Sequence, residues 1–159
     1  MNLNIKRALL TATYIALAGL LWALLEFALG MHTTRINLHE KFTWLAIIPT
    51  LLIYVWHYFK LRANFAPLDF RSGFISGAVV TLLASVLNLI CFSIFYYFIN
   101  PDLFNALQAY AVKSNLMTQQ EAQQYFNLSS YLTQLFFGSL IMGLIFSLIL
   151  TLIFKNKIK

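Results

Sequence analysis

Between Phe74 and Ile99 the chain carries no charged residue. As a helix this run rises roughly 39 Å at 1.5 Å per residue, more than the ~30 Å hydrocarbon core of a bilayer. A polar elbow with Pro67, Asp69 and Arg71 precedes it, and Asn100-Pro101-Asp102 follows it. Three further apolar blocks of comparable length surround it. The chain is 60% hydrophobic and 10% charged, whereas soluble domains are about 45–50% apolar and about 25% charged. Its apolar residues fall in blocks instead of alternating with charge, which argues against a soluble helical bundle. The expected fold class is therefore all-α: a polytopic membrane protein, one domain over residues 1–159. Four transmembrane helices are expected at about 7–30, 42–59, 73–99 and 130–154, with an extracytoplasmic amphipathic helical hairpin over about 101–127.

The net charge of +6 and pI near 9.6 do not point to nucleic acid, because the basic residues sit at the ends of apolar blocks. They read as a topology signal. Lys6, Arg7, Lys60, Arg62, Arg71, Lys155, Lys157 and Lys159 fall on one side, and Arg35, Lys41 and Lys113 on the other. This bias puts both termini of a multi-pass membrane protein in the cytoplasm. The first block, Ala8 to about Leu29, exceeds the about 7–15 residues of a signal-peptide core and is read as an uncleaved first helix. Cys91, the single cysteine, is expected to be a small buried hydrophobe.

Within the helices, small residues recur at helical spacing. Ala12, Ala16, Gly19 and Ala23 form a strip on the first, with Thr11, Ile15, Trp22 and Glu26 on a neighbouring face. Gly77, Thr81, Ala84, Ser85 and Asn88 share a face of the third helix, and Ser139, Gly143, Ser147 and Thr151 lie four apart on the fourth. Close helix packing is expected at Gly77, Ser139, Gly143 and Ser147. Pro49 predicts a kink in the second helix. Trp44 at one end, with Tyr54, Trp56 and Tyr58 at the other, fits two interfacial belts, and His57 between them an interfacial anchor. Asn100 and Pro101 suit the N-cap and first position of a helix. Thr118 and Glu121 have capping-box spacing.

The elbow Leu68-Asp69-Phe70-Arg71-Ser72-Gly73, the Ile99-Asn100-Pro101-Asp102 exit, the Gln/Glu-rich connecting helix and the Lys-ended fourth helix together resemble the bacterial integral membrane family catalogued as domain of unknown function 4199. The resemblance implies four membrane helices and membrane localisation. It supplies no activity and no catalytic residue.

Glu26 is the one acidic residue inside the four apolar blocks, and an ionisable group there is by default a functional candidate. The simpler expectation is that it reaches the interface and pairs with Arg35 or Lys41. As a proton or cation site it would face Asn88 or Tyr14. The candidate intramembrane polar site is Glu26, Thr81, Ser85 and Asn88, and the candidate lipid head-group contacts are Arg62 and Arg71. His32, His39 and Glu40 are metal-ligand types. Their spacing matches no established pattern, though, and loop histidines are ordinarily solvated, so no metal and no cofactor are expected. No nucleophile stands beside a His and a carboxylate on one face, and glycine-rich phosphate loops are missing, so no enzyme is expected. The expected role is non-catalytic association: with the lipid bilayer, with itself as a homo-oligomer, or with another membrane protein. The alternative is a small oligomeric channel or transporter subunit using Glu26 and the polar face of the third helix. Since four helices were expected to enclose little volume, transport would require an oligomer.

Overall fold

A computed structural model of the chain describes residues 5–64 and 68–155. Pro67, Lys157 and Lys159 lie outside the described residues. Seven α-helices follow one another: α1 Ile5–Ala28, α2 Ile36–Thr43, α3 Ile47–Asn64, α4 Phe70–Phe98, α5 Leu103–Lys113, α6 Gln119–Tyr125 and α7 Leu128–Phe154. No strand occurs among the described residues. Four stretches of the described residues are long and apolar enough to cross a membrane: α1, the run Ile36–Ala63, α4 and α7. Their outward faces carry large exposed apolar side chains such as Leu21, Leu52, Leu82 and Ile153. In water such a surface would aggregate; in hydrocarbon it is at no disadvantage. This is a membrane protein.

Local chemistry sets where each helix starts and stops. α1 ends at Gly30, whose φ of 73° is the left-handed conformation that closes a helix. Met31 N–H donates to the Glu26 carbonyl at 2.9 Å and Gly30 N–H to that of Phe27 at 3.0 Å, the paired bonds of a Schellman stop. The chain reverses there, and helix resumes at Ile36, six residues before the expected Phe42. Much of the supposed first loop is thus α2. The second span is interrupted by a 3₁₀ turn over Trp44–Ala46. Pro49 has no N–H for the carbonyl of Leu45, so the helix tightens just before it. α4 begins at Phe70, earlier than the expected residue 73, because the Asp69 side chain accepts from Ser72 N–H and caps it. Asn127 caps α7 in the same way through Ser130 N–H at 2.9 Å.

α4 lies at the centre, packed along α1 on one side and α7 on the other, while α3 closes the bundle across α1 and α7. The end where α1 and α4 begin and α3 and α7 finish is tightly filled. There Tyr54 and Tyr58, 2% and 0% exposed, point inward instead of forming the expected interfacial belt. The Tyr58 hydroxyl lies 3.0 Å from the carbonyls of Gly73 and Ser147 and from Thr151 Oγ1. Tyr54 O–H sits 2.8 Å from Thr81 Oγ1. A buried hydroxyl in a membrane must find partners within the protein, and here hydroxyls and backbone carbonyls on α4 and α7 provide them. His57 is likewise buried, with Thr11 Oγ1 at 3.0 Å from one ring nitrogen and Ser76 Oγ at 3.1 Å from the other. It ties α3 to α1 and α4 and is not an interfacial anchor.

At the opposite end α5 and α6 fold onto the bundle. Leu103, Phe104 and Leu107 of α5 pack with Phe95, Phe92 and Tyr131 in a second core cluster. α5 starts after Asp102, not at Pro101, and Asn100 is not its N-cap. The Asn100 side chain is turned inward to His32 instead, with its Nδ2 3.1 Å from Nδ1. Thr118 and Glu121 form the capping box at the start of α6.

Candidate functional site

The reversal at Gly30 lays α2 beside the last turns of α1, and this brings His32, His39 and Thr43 around Glu26, next to Trp22 of its own helix. Glu26 is 4% exposed. Its Oε1 accepts from Thr43 O–H at 2.6 Å and from Trp22 Nε1–H at 3.1 Å. Its Oε2 faces His32 Nε2 at 3.5 Å and His39 Nδ1 at 3.7 Å. His32 is itself 2% exposed, held by Asn100 on one edge and by the Phe95 ring at a centroid distance of 5.7 Å. The two imidazoles meet edge to face at 5.0 Å. The helical spacing explains two of these contacts: Trp22 lies four residues before Glu26, and His39 four before Thr43, so each pair shares a helix face.

Beside this cluster lies a half-open cavity of about 830 Å³, walled by all four spans and covered by α5 and α6. Its wall is mostly apolar, with polar points that include Glu26, His39, Glu40, Thr43, Ser85, Asn88 and Ser139. The expectation that four helices enclose little volume does not hold. The 3₁₀ turn and the proline of the second span fall in the half of the bundle where the cavity opens. In the other half, tyrosines fill the same space.

The sequence-predicted residues divide between these regions. Glu26 does not pair with Arg35 or Lys41, which are exposed; its ion-pair contacts are both with histidine. Nor does it hydrogen-bond to Asn88 or Tyr14 among the described residues: Asn88 lines the same cavity at a distance, and Tyr14 faces outward against Trp56. Thr81 belongs to the filled end, 2.8 Å from Tyr54 O–H. Ser85 accepts from Ser139 O–H at 2.9 Å at the cavity's inner edge. Gly77 and Gly143 sit where side chains of other helices touch the backbone. A Cβ added at Gly77 would run into Tyr58 O–H and Ser147, and one at Gly143 would lie 2.5 Å from Thr81 Cγ2. Ser147 is fully buried between them. Arg62 and Arg71 are exposed at the filled end, and Glu40 is exposed beside the cluster without joining it. Cys91 is partly buried in the cavity wall.

Sequence reasoning singled out Glu26 and set the histidines aside as solvated. The missed signal was Gly30, a helix stop that folds His32 and His39 back onto the end of α1. Asn100 was missed because its place before Pro101 imitates a cap.

Residues 10–156 match the family described as protein of unknown function (DUF4199). The chain belongs to that family. The matched residues take in nearly all of the four spans and include Glu26, His32 and His39. No curated protein and no solved structure matches the chain.

Proposed function

We propose that this DUF4199 protein is a non-catalytic protein of a bacterial cytoplasmic membrane that acts by association with lipid. It takes one apolar or amphiphilic lipid-derived molecule into the hollow half of its bundle. The observation that carries this reading is the cavity of about 830 Å³, within the range of about 300–1,000 Å³ typical of ligand sites that are apolar with a few polar points. The Lys and Arg bias supports cytoplasmic termini, which sets the cavity in the extracytoplasmic half of the bilayer beneath the α5–α6 hairpin.

Gly138 offers a clean test. It lines the cavity, and a Cβ there would meet nothing within 4 Å, so Gly138→Phe adds bulk at the cavity wall from a position with open space around its Cβ. Native mass spectrometry of protein extracted gently from its own membranes should show a lipid-sized adduct on wild type and its loss in Gly138→Phe. Absence of any adduct on wild type, or an adduct unchanged in the variant, overturns the reading. A stoichiometric foreign subunit in place of the lipid assigns an accessory role instead.

The channel or transporter reading draws on the cavity joining Glu26 to Ser85 and Asn88. It is the weaker of the two, because the tyrosine-filled end interrupts any path across the bundle.

A further inference from the structure

The contacts of Glu26 with its two histidines are too long for hydrogen bonds, which run about 2.7–3.2 Å for N–H···O. His39 Nδ1 is buried and has no hydrogen-bond partner among the described residues. Yet the three facing atoms, one from each side chain, lie within 4.8 Å of one another, an arrangement that wants something between them. A tetrahedral zinc-type ion with ligands at about 2.0–2.1 Å sets those ligands about 3.3–3.4 Å apart. The Oε2–His32 and Oε2–His39 separations are 3.5 Å and 3.7 Å, close to the edges of such a tetrahedron. The third edge closes with a small turn of the His39 ring.

We infer that Glu26, His32 and His39 form a binding site for a divalent transition-metal ion of the zinc type. Two imidazole nitrogens and one carboxylate oxygen are a donor set suited to such an ion. The carboxylate is prepared for it. Thr43 and Trp22 occupy Oε1 with two donated hydrogen bonds and leave Oε2 free toward the histidines. Asn100 serves His32 as the orienting partner that metal-bound imidazoles usually have on their second nitrogen. With the ion on Nε2, the His32 proton would reside on Nδ1, and the Asn100 amide, whose Nδ2 now lies 3.1 Å from Nδ1, would turn over to accept it through its oxygen. The ion also supplies positive charge to a buried carboxylate whose ion-pair contacts are both with histidine. Three protein donors leave the fourth position to water, or to a donor atom of whatever occupies the cavity that Glu26 and His39 line. This inference goes beyond the proposed lipid association and stands without it.

The test uses the full chain in detergent, purified without a histidine tag, stripped with chelator and titrated with Co²⁺ and then Zn²⁺. One Co²⁺ per chain, visible absorption bands of a tetrahedral site, and displacement by one Zn²⁺ are expected. His32→Gln, His39→Gln and Glu26→Gln should each raise the Kd about 100-fold or more, and Asn100→Ala about 10-fold or more, as expected for ligands and for a residue that orients one. Glu40→Gln, exposed at the rim beside His39, should raise the Kd far less than any ligand substitution. Absence of one-to-one binding by wild type overturns the inference whether or not any variant folds. So does binding that Glu40→Gln weakens while His32→Gln does not, since that ion belongs to the exposed face of α2.

Discussion

Gly77 and Gly143 are single atoms' worth of space on which the filled end depends. At Gly77 the Tyr58 hydroxyl and Ser147 stand where a methyl would go, and at Gly143 it is Thr81 and the Tyr54 hydroxyl. Neither tyrosine can yield without leaving its hydrogen-bond partners. Gly77→Ala should therefore destabilise the protein by about 1–3 kcal/mol, the usual cost of overpacking, read as a lowered midpoint of thermal unfolding in detergent. Gly138→Ala, facing open space, should leave it nearly unchanged. The small residues on α4 and α7 were legible because spacing alone places them on one face. The tyrosines were not. Tyr54, Trp56 and Tyr58 look in sequence like an interfacial belt, and only the partners on α4 and α7, far along the chain, distinguish a buried phenol from a membrane-surface one. Glu26 was legible as an oddity, but its neighbours depend on how the chain turns at Gly30.

Elements were easiest to read where local chemistry acts alone. The capping box of α6 is one such case. Glu121 accepts from the Thr118 backbone N–H and hydroxyl, both at 2.8 Å, and these bonds hold its carboxyl below its ordinary value of 4.5. A depressed value in the folded state means that the cap contributes fully above 4.5 and is lost as pH falls through the lowered one. Amide exchange in α6, corrected for intrinsic rates, should accelerate on acidification through the lowered value of Glu121, and Thr118→Ala should remove most of that dependence. α2 and the start of α5 were harder. α2 mixes polar and apolar residues in a segment flanked by charges, and its helicity comes from docking beside α1. Asn100-Pro101 has the local chemistry of a helix start, yet a buried imidazole competes for the same amide and wins.

At the scale of the whole molecule, the four spans and their order were plain from hydropathy, while the division into a filled half and a hollow half was not. Hydropathy records how apolar each helix is, not whether its inward side chains meet. The filled end gathers Arg7 and Lys60, joined through an Arg7 guanidinium bond to the Lys60 carbonyl at 3.3 Å, with Arg62, Arg71 and Lys155 nearby in the fold. The hollow end carries the hairpin with Glu121 and Asp102. In the proposed orientation, with Cys91 replaced by Ser, a membrane-impermeant maleimide added to intact cells should label Gln120→Cys and not Arg71→Cys. The reverse pattern inverts the protein.

The turn at Gly30 also bears on how the chain enters the membrane during synthesis. A carboxylate near the end of the first span is costly to insert alone, by up to about 2.5–3.5 kcal/mol at a helix centre. Thr43 follows Glu26 by 17 residues, about one to three seconds of translation at about 5–20 residues per second. His32 and His39 emerge within that interval, whereas Asn100 comes 68 residues after His32. The first hairpin to leave the translocon thus brings the acid its own partners, and the later helices close around a polar centre already assembled.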